Sequence, residues 1–67
     1  MYKRRDEDED QYPYYYGFAD ARGDWYIVKV SENGTVKHFW RPERSNMTYF
    51  EAWDDREKLR YNFGQTF

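Results

Sequence analysis

Few residues of this chain have the types and spacing that catalysis requires. His38 is the single histidine, and it has neither a cysteine nor an obvious serine partner for nucleophilic chemistry. Asp54 and Asp55 are paired carboxylates, but adjacent positions on a predicted helix point in different directions, which prevents joint acid–base work. No phosphate-cradling glycine loop and no metal-ligand spacing is present. We therefore expect no enzymatic activity, no cofactor and no metal site.

The aromatic residues carry the strongest functional signal in the sequence. Tyr, Phe and Trp number eight, five and three, whereas Ile, Leu and Val together number five. Aromatic rings bury large areas, and Tyr and Trp also carry polar groups that suit half-wet surfaces. A chain of 67 residues cannot bury all of these rings, so some must form an exposed patch. Such a patch is typical of a binding surface.

The tripeptide Arg22-Gly23-Asp24 matches the integrin-binding motif, and it lies at a predicted hairpin turn. A glycine between polar residues is expected in any such turn, so we interpret the tripeptide structurally. The chain has no cysteine, and no apolar stretch follows the basic residues 3–5 as it would in a signal peptide. No run approaches the length of a membrane span. These features favour a cytoplasmic protein that does not enter a membrane.

The net charge of −2 is confined to the N-terminal segment. Residues 1–12 hold three basic and five acidic side chains, whereas residues 13–67 hold eight of each. Blocks of like charge repel each other and stay solvated. We therefore predict a disordered acidic tail over residues 1–12 and a single small domain over residues 13–67. The neutral domain argues against binding to duplex nucleic acid, which requires a basic surface.

Two glycine turns divide the central part of the sequence into three predicted strands, at residues 14–21, 25–31 and 35–41. Their aromatic and β-branched content is typical of strands. Asn33-Gly34 is a strong hairpin signal, because a type I′ turn needs positive φ at both central positions. Arg22-Gly23 is interpreted as a second two-residue turn, and Pro42 ends the last strand. The sequence therefore predicts an antiparallel meander.

Two-residue turns fix which side chains share a face of this meander. The first predicted face carries Tyr14, Tyr16, Phe18, Trp25, Ile27, Val36, His38 and Trp40. The second predicted face carries Tyr15, Gly17, Ala19, Tyr26, Val28, Val30, Lys37, Phe39 and Arg41. Both faces are apolar enough to need cover, and one helix covers only one of them. Residues 63–67 are expected to fold back over part of the other.

The segment after Pro42 has two interpretations. Thr48 and Glu51 have the spacing of a capping box, which favours a helix over residues 49–61. Leu59 falls off the apolar stripe of that helix. The alternative is a pair of strands, residues 47–53 and 58–63, because Leu59, Tyr61 and Phe63 alternate with polar residues. The first interpretation gives an α+β fold with a three-stranded meander and one C-terminal helix, and the second gives an all-β five-stranded SH3-like barrel.

The function we expect is protein binding through an aromatic sheet face and the acidic tail. Tyr, Trp and Arg dominate interface hot spots, and acidic residues steer a basic, nucleic-acid-binding partner protein into contact. In size and composition the chain resembles phage-encoded inhibitors of host enzymes and defence systems. Stacking of single-stranded nucleic acid on the rings is one alternative, and a homodimer that buries the surplus rings is another. The predicted binding residues are Tyr15, Tyr26, Phe39, Lys37, Arg41, Asp6, Glu7, Asp8, Glu9 and Asp10.

Overall fold

The structure, a computed structural model, describes residues 1–63. Five strands form one antiparallel sheet in chain order, and one helix lies between the last two strands. This arrangement confirms the predicted α+β meander with one helix, and adds an edge strand on each side. The elements are β1 (Lys3–Asp8), β2 (Tyr14–Ala19), β3 (Trp25–Val30), β4 (Val36–Trp40), α1 (Tyr49–Asp54) and β5 (Asn62–Phe63).

The acidic N-terminal segment is expected from its charge pattern to be a disordered tail. In the structure it contributes a strand to the sheet. β1 pairs antiparallel with β2, and its carboxylates alternate between the two sides of the sheet. Asp6 accepts a hydrogen bond from the Tyr49 hydroxyl (2.6 Å), and Asp8 accepts one from the Arg56 guanidinium (2.9 Å). These donors lie 43 and 48 residues away in sequence. Local charge patterning carries no information about such distant contacts.

Both hairpins turn through three residues instead of the predicted two. The Asp20 N–H donates to the Asp24 carbonyl (3.0 Å), and the Ser31 N–H donates to the Thr35 carbonyl (2.9 Å). The glycine that ends each loop has a φ of 90° or 89°. This left-handed position closes a three-residue hairpin loop, so the glycines that predict the turns also permit the longer form.

The additional loop residue reverses β3 relative to the predicted faces. A shift of one residue moves every side chain of a strand to the opposite side. Ile27 pairs with Gly17 and Phe39, whereas two-residue turns place it opposite Phe18 and Trp40. Because both loops contain the extra residue, β2 and β4 keep their predicted relation to each other. The predicted face assignment is therefore wrong for β3 alone.

The capping box predicted at Thr48 and Glu51 is present and begins α1. The Glu51 N–H donates to the Thr48 hydroxyl oxygen (3.2 Å), and the Thr48 N–H donates to the Glu51 carboxylate (2.8 Å). These two bonds satisfy N–H groups that have no partner inside the helix. Since residues 49–54 are helical, the alternative strand over residues 47–53 does not form, and the barrel interpretation is excluded.

α1 ends at Asp54, earlier than the predicted residue 61. The Arg56 guanidinium donates to the Trp53 carbonyl (2.8 Å), and the Tyr61 hydroxyl donates to the Arg56 carbonyl (2.8 Å). These bonds occupy carbonyl groups that a longer helix would have paired internally. Leu59 packs against the core from the segment after the helix, which explains why it does not fit the helical stripe.

The core lies between α1 and β3. Trp25, Ile27, Tyr49 and Ala52 are its buried members, with 3%, 0%, 7% and 0% of their surface exposed. The Tyr49 ring crosses β2 at Gly17. A Cβ at position 17 would overlap the Tyr49 hydroxyl oxygen and would lie 2.8 Å from Cζ. Glycine is therefore required for α1 to approach the sheet this closely.

Beyond β5 lie residues 64–67, which are outside the described residues, so the expected fold-back of the C-terminus receives no test. Within residues 1–63, no helix has the length and apolar character needed to cross a membrane.

Candidate functional site

The structure divides the predicted binding residues between the two sides of the sheet. Tyr15 is buried, with 4% of its surface exposed, on the side that α1 covers. Phe39 packs against the core on the same side. Tyr26 lies on the opposite side, because β3 is reversed. Lys37 pairs in register with Lys29, whose ammonium group lies 5.5 Å from the Tyr61 ring centre on the covered side. These residues therefore do not form one surface.

A continuous apolar surface occupies the other side of the sheet, and we call it the open face. The alternate residues of β2, β3 and β4 form it, and within residues 1–62 none of their side chains is fully buried. Val36 and Trp40 are 42% and 40% exposed. The members of the open face are Tyr14, Tyr16, Phe18, Tyr26, Val28, Val30, Val36, His38 and Trp40.

Rings that contact each other form the centre of the open face. Tyr26 stacks on Phe18, with ring centres 4.9 Å apart, and lies 4.3 Å from the Trp40 ring. The His38 ring stacks beside Trp40 at 6.1 Å. The Tyr2 ring packs edge-on against Tyr26 at 4.9 Å. Such offset and edge-on arrangements are the favoured geometries of aromatic pairs. We call these five residues the aromatic cluster.

Asp24 holds Tyr2 on the aromatic cluster. The Tyr2 hydroxyl donates to one carboxylate oxygen of Asp24 (2.5 Å), and the Arg41 side chain donates to the other (3.1 Å). The hydrogen bond to Asp24 raises the pKa of Tyr2 to about 12. The same bond, together with Arg41, lowers the pKa of the Asp24 carboxyl. The acid of the Arg22-Gly23-Asp24 motif is thus engaged inside the protein, in agreement with its interpretation as a structural turn.

His38 contributes a neutral ring to the cluster. Its Nδ1 is buried and has no hydrogen-bond partner among the described residues. Loss of solvent around the imidazole lowers the pKa of His38, so the ring is uncharged at neutral pH.

Further charged groups near the open face lie on β1 and directly after it. Arg4 forms an ion pair with Glu7 (3.3 Å), and its guanidinium lies 5.9 Å from the Tyr16 ring centre. Glu9 accepts a hydrogen bond from the Tyr16 hydroxyl (2.5 Å), which raises the pKa of Tyr16 to about 12. The open face is therefore an apolar surface with a predominantly acidic border on one side.

Sequence reasoning misses four members of the aromatic cluster as binding residues. The predicted faces place Phe18, His38 and Trp40 with Trp25, and the predicted tail includes Tyr2. A three-residue loop at each glycine turn would have placed Tyr26 beside Phe18 and Trp40. The position of Tyr2 depends on β1, for which no local signal exists.

The geometry of the open face suits contact with another apolar surface. Its rings offer large contact area, and the hydroxyl groups of Tyr2 and Tyr16 are already bonded to carboxylates. Among residues 1–62, no group of three or more His, Cys, Asp or Glu side chains could hold a metal ion. Comparison of the chain with protein-family models, with curated proteins and with solved structures finds no match.

Proposed function

We propose that this chain is a non-enzymatic module that binds a partner protein through the open face. The observation that carries the proposal is the partly exposed aromatic cluster, on a side of the sheet that no described helix covers. Tyr and Trp rings are enriched in the centres of protein interfaces and supply much of their binding energy. An apolar patch of this kind on a protein surface is typical of an interaction site.

The acidic border indicates which partner surface fits. Glu7 and Glu9 lie beside the open face. We therefore expect a partner whose apolar patch is bordered by basic residues, as on many nucleic-acid-binding proteins. Complementary charge would accelerate association, and the rings would provide affinity. By occupying such a surface, the module would act as an inhibitor or modulator of its partner.

The positions of the basic residues favour a protein partner over single-stranded nucleic acid. Nucleic-acid binders place cations next to their stacking rings, along the path of the phosphates. Lys29 and Lys37 lie on the covered side of the sheet, and Arg4 is paired with Glu7 on the open side. Arg41 lies near Tyr2 but is paired with Asp24 at 3.1 Å. The cations beside the open face are therefore already paired with carboxylates, whereas phosphates require available cations.

Affinity capture with matched variants tests the proposal. Val36→Ser combined with Trp40→Ser removes exposed apolar groups from the open face, while Phe50→Ser removes a ring that is 66% exposed on α1. Each tagged variant is incubated with nuclease-treated lysate of the source organism. We expect the wild type and Phe50→Ser to capture the same basic protein, and the open-face double variant to lose it. Equal capture by all three folded proteins would overturn the proposal.

Two further measurements separate the alternatives. Titration with fluorescent single-stranded oligonucleotides at low salt should show no binding. Micromolar binding that weakens steeply with salt and is lost in the open-face double variant would assign the face to nucleic acid. Sedimentation at increasing concentration should show a monomer. A dimer that dissociates in the same double variant would assign the face to a second copy of the chain.

A further inference from the structure

A second candidate site lies on the side of the sheet away from the open face, where the turn after β1 meets the segment after α1. A cavity of about 330 Å³ opens there. Three acids line it, Asp8, Asp10 and Glu57, together with the rings of Tyr12 and Tyr15. Its volume lies at the lower end of the range found for small-ligand sites.

The charge of this cavity is only partly neutralised within the protein. Asp8 forms an ion pair with Arg56 at 2.9 Å, and both side chains are about three-quarters buried. Asp10 and Glu57 line the same cavity and have no ion pair within residues 1–62. Both are exposed, so a ligand can reach them from solvent. The cavity therefore keeps two carboxylates available for a cation.

Tyr15 provides an independent indication of a ligand. Only 4% of its surface is exposed, yet it lines the cavity, and its hydroxyl makes no hydrogen bond to residues 1–62. The Tyr15 hydroxyl oxygen is not one of the fully buried, unpaired side-chain atoms of residues 1–62, so it stays open to the cavity and can be reached by a ligand. Burial and the nearby Glu57 carboxylate both raise the pKa of Tyr15, so the hydroxyl stays neutral and can accept a hydrogen bond from a cationic donor.

We propose that this cavity binds an alkylammonium group, with Asp10 and Glu57 as its counter-ions and the Tyr15 hydroxyl as a third acceptor. An ammonium group has three N–H donors and no acceptor, which matches three oxygen acceptors around it. The aromatic walls suit the methylene groups of such a ligand and attract its charge. The protein already contains a related arrangement, because the Arg56 guanidinium lies 5.8 Å from the Tyr15 ring centre while bonded to Asp8.

An organic cation fits the cavity better than a metal ion. Metal binding needs several ligand atoms at short range around one point, and no such group exists among the described residues. Two aromatic walls add nothing to metal coordination, whereas they stabilise an alkyl chain. The ammonium could come from a free diamine or from a lysine side chain of a protein, and the two sources share this chemistry.

Titration followed by NMR tests the site. The free amine is 1,5-diaminopentane, and the protein source is a short peptide that is acetylated at its N-terminus and keeps a free lysine side chain. We expect either probe to shift the Tyr15 ring signals and the amide signals of residues 10–12. Tighter binding of the diamine would assign the site to free polyamines, and tighter binding of the peptide would assign it to a protein side chain. The absence of shifts with both probes would overturn the proposal.

Matched charge variants distinguish the cavity from general attraction to an acidic protein. Asp10→Asn combined with Glu57→Gln should weaken binding by about tenfold, since each exposed pair contributes modestly. Glu43→Gln combined with Asp54→Asn removes the same charge from exposed positions elsewhere and should leave the affinity unchanged. Tyr15→Phe keeps the ring and should weaken binding by a smaller factor. Equal losses in the two double variants would contradict the proposal, and because neither touches the open face, this result is independent of protein binding there.

Discussion

The two faces of the sheet are built from the same strands but differ in what covers them. Along β3, Trp25 and Ile27 are 3% and 0% exposed beneath α1. Their neighbours Tyr26 and Val28 point to the open face and are only partly buried. Both faces carry rings, so composition does not distinguish core from surface in this protein. The position of a single short helix makes that distinction.

The five acidic residues 6–10 are divided between the two faces in the same way. On the covered side, Asp6 and Asp8 hold the α1 region through hydrogen bonds from Tyr49 and Arg56. On the open side, the glutamates of the block have only neighbouring partners and lie close to solvent. Two acids therefore contribute to folding, and the others remain able to contact a partner. A segment whose composition is that of a uniform charged tail thus has two distinct roles.

The largest difference between the faces is expected in stability. Ile27→Ala should lower the free energy of unfolding by about 2–5 kcal/mol, because it leaves a cavity beneath α1. Val28→Ala, one residue further along β3, should lower it by about 1 kcal/mol or less, since its side chain is partly exposed already. Urea denaturation of both variants provides the measurement. Similar losses at the two positions would contradict the assignment of covered and open faces.

A smaller effect is expected where α1 crosses the sheet. Gly17→Ala should lower the free energy of unfolding by about 1–3 kcal/mol, because the new methyl group overlaps the Tyr49 ring. Tyr49→Phe removes the hydroxyl that lies closest to position 17 and also its bond to Asp6. The double variant should therefore lose less stability than the sum of the single variants.

A thermodynamic cycle from urea denaturation measures this coupling. Additive losses would show that Gly17 is not needed for the approach of Tyr49. Ala19→Gly, at the other end of the same β2 face, serves as a control for the change in backbone freedom.

The smallest expected effect is on the stability of the protein at acidic pH. The hydrogen bond from Arg56 lowers the pKa of Asp8 in the folded state, so the ion pair contributes stability above the unfolded pKa of about 3.9. This contribution should be lost as the pH falls from about 4 through the folded pKa. Asp8→Asn should reduce stability at neutral pH and give a flatter acid profile, as measured by thermal melting from strongly acidic to neutral pH.

Arg56→Met serves as the matched control, because it removes the same ion pair from the other partner. It should flatten the acid profile in the same direction as Asp8→Asn. An unchanged dependence of the melting temperature on pH in both variants would show that the Asp8–Arg56 ion pair does not contribute to stability. The acidic segment would then be a tail in energetic terms, despite its position in the sheet.

Local signals predict much of the architecture. The capping box at Thr48 and Glu51 depends on residues three positions apart, so the sequence reveals the start of α1. The two turn glycines need positive φ wherever the hairpins close, so the sequence also reveals the turns. The end of α1 is not predictable in this way, because Arg56 and Tyr61 make the bonds that replace further helical turns.

The candidate site is only partly predictable, because it depends on loop length. Asn33-Gly34 fits both a two-residue turn and the end of a three-residue loop, and the two choices differ by one residue in register. That residue decides whether Tyr26 lies on the covered side with Phe39 or on the open face beside Trp40. The position of Tyr2 depends further on the pairing of β1, which distant donors stabilise.

The sequence by itself determined that this protein has a ring-rich antiparallel sheet with more aromatic surface than one short helix can cover. That conclusion follows from composition and alternation, which are local properties. Only the tertiary structure decided which face is covered, because α1 approaches the sheet where Gly17 leaves room for Tyr49. It also decided that Asp6 and Asp8 bind the α1 region, since their donors come from the other end of the chain.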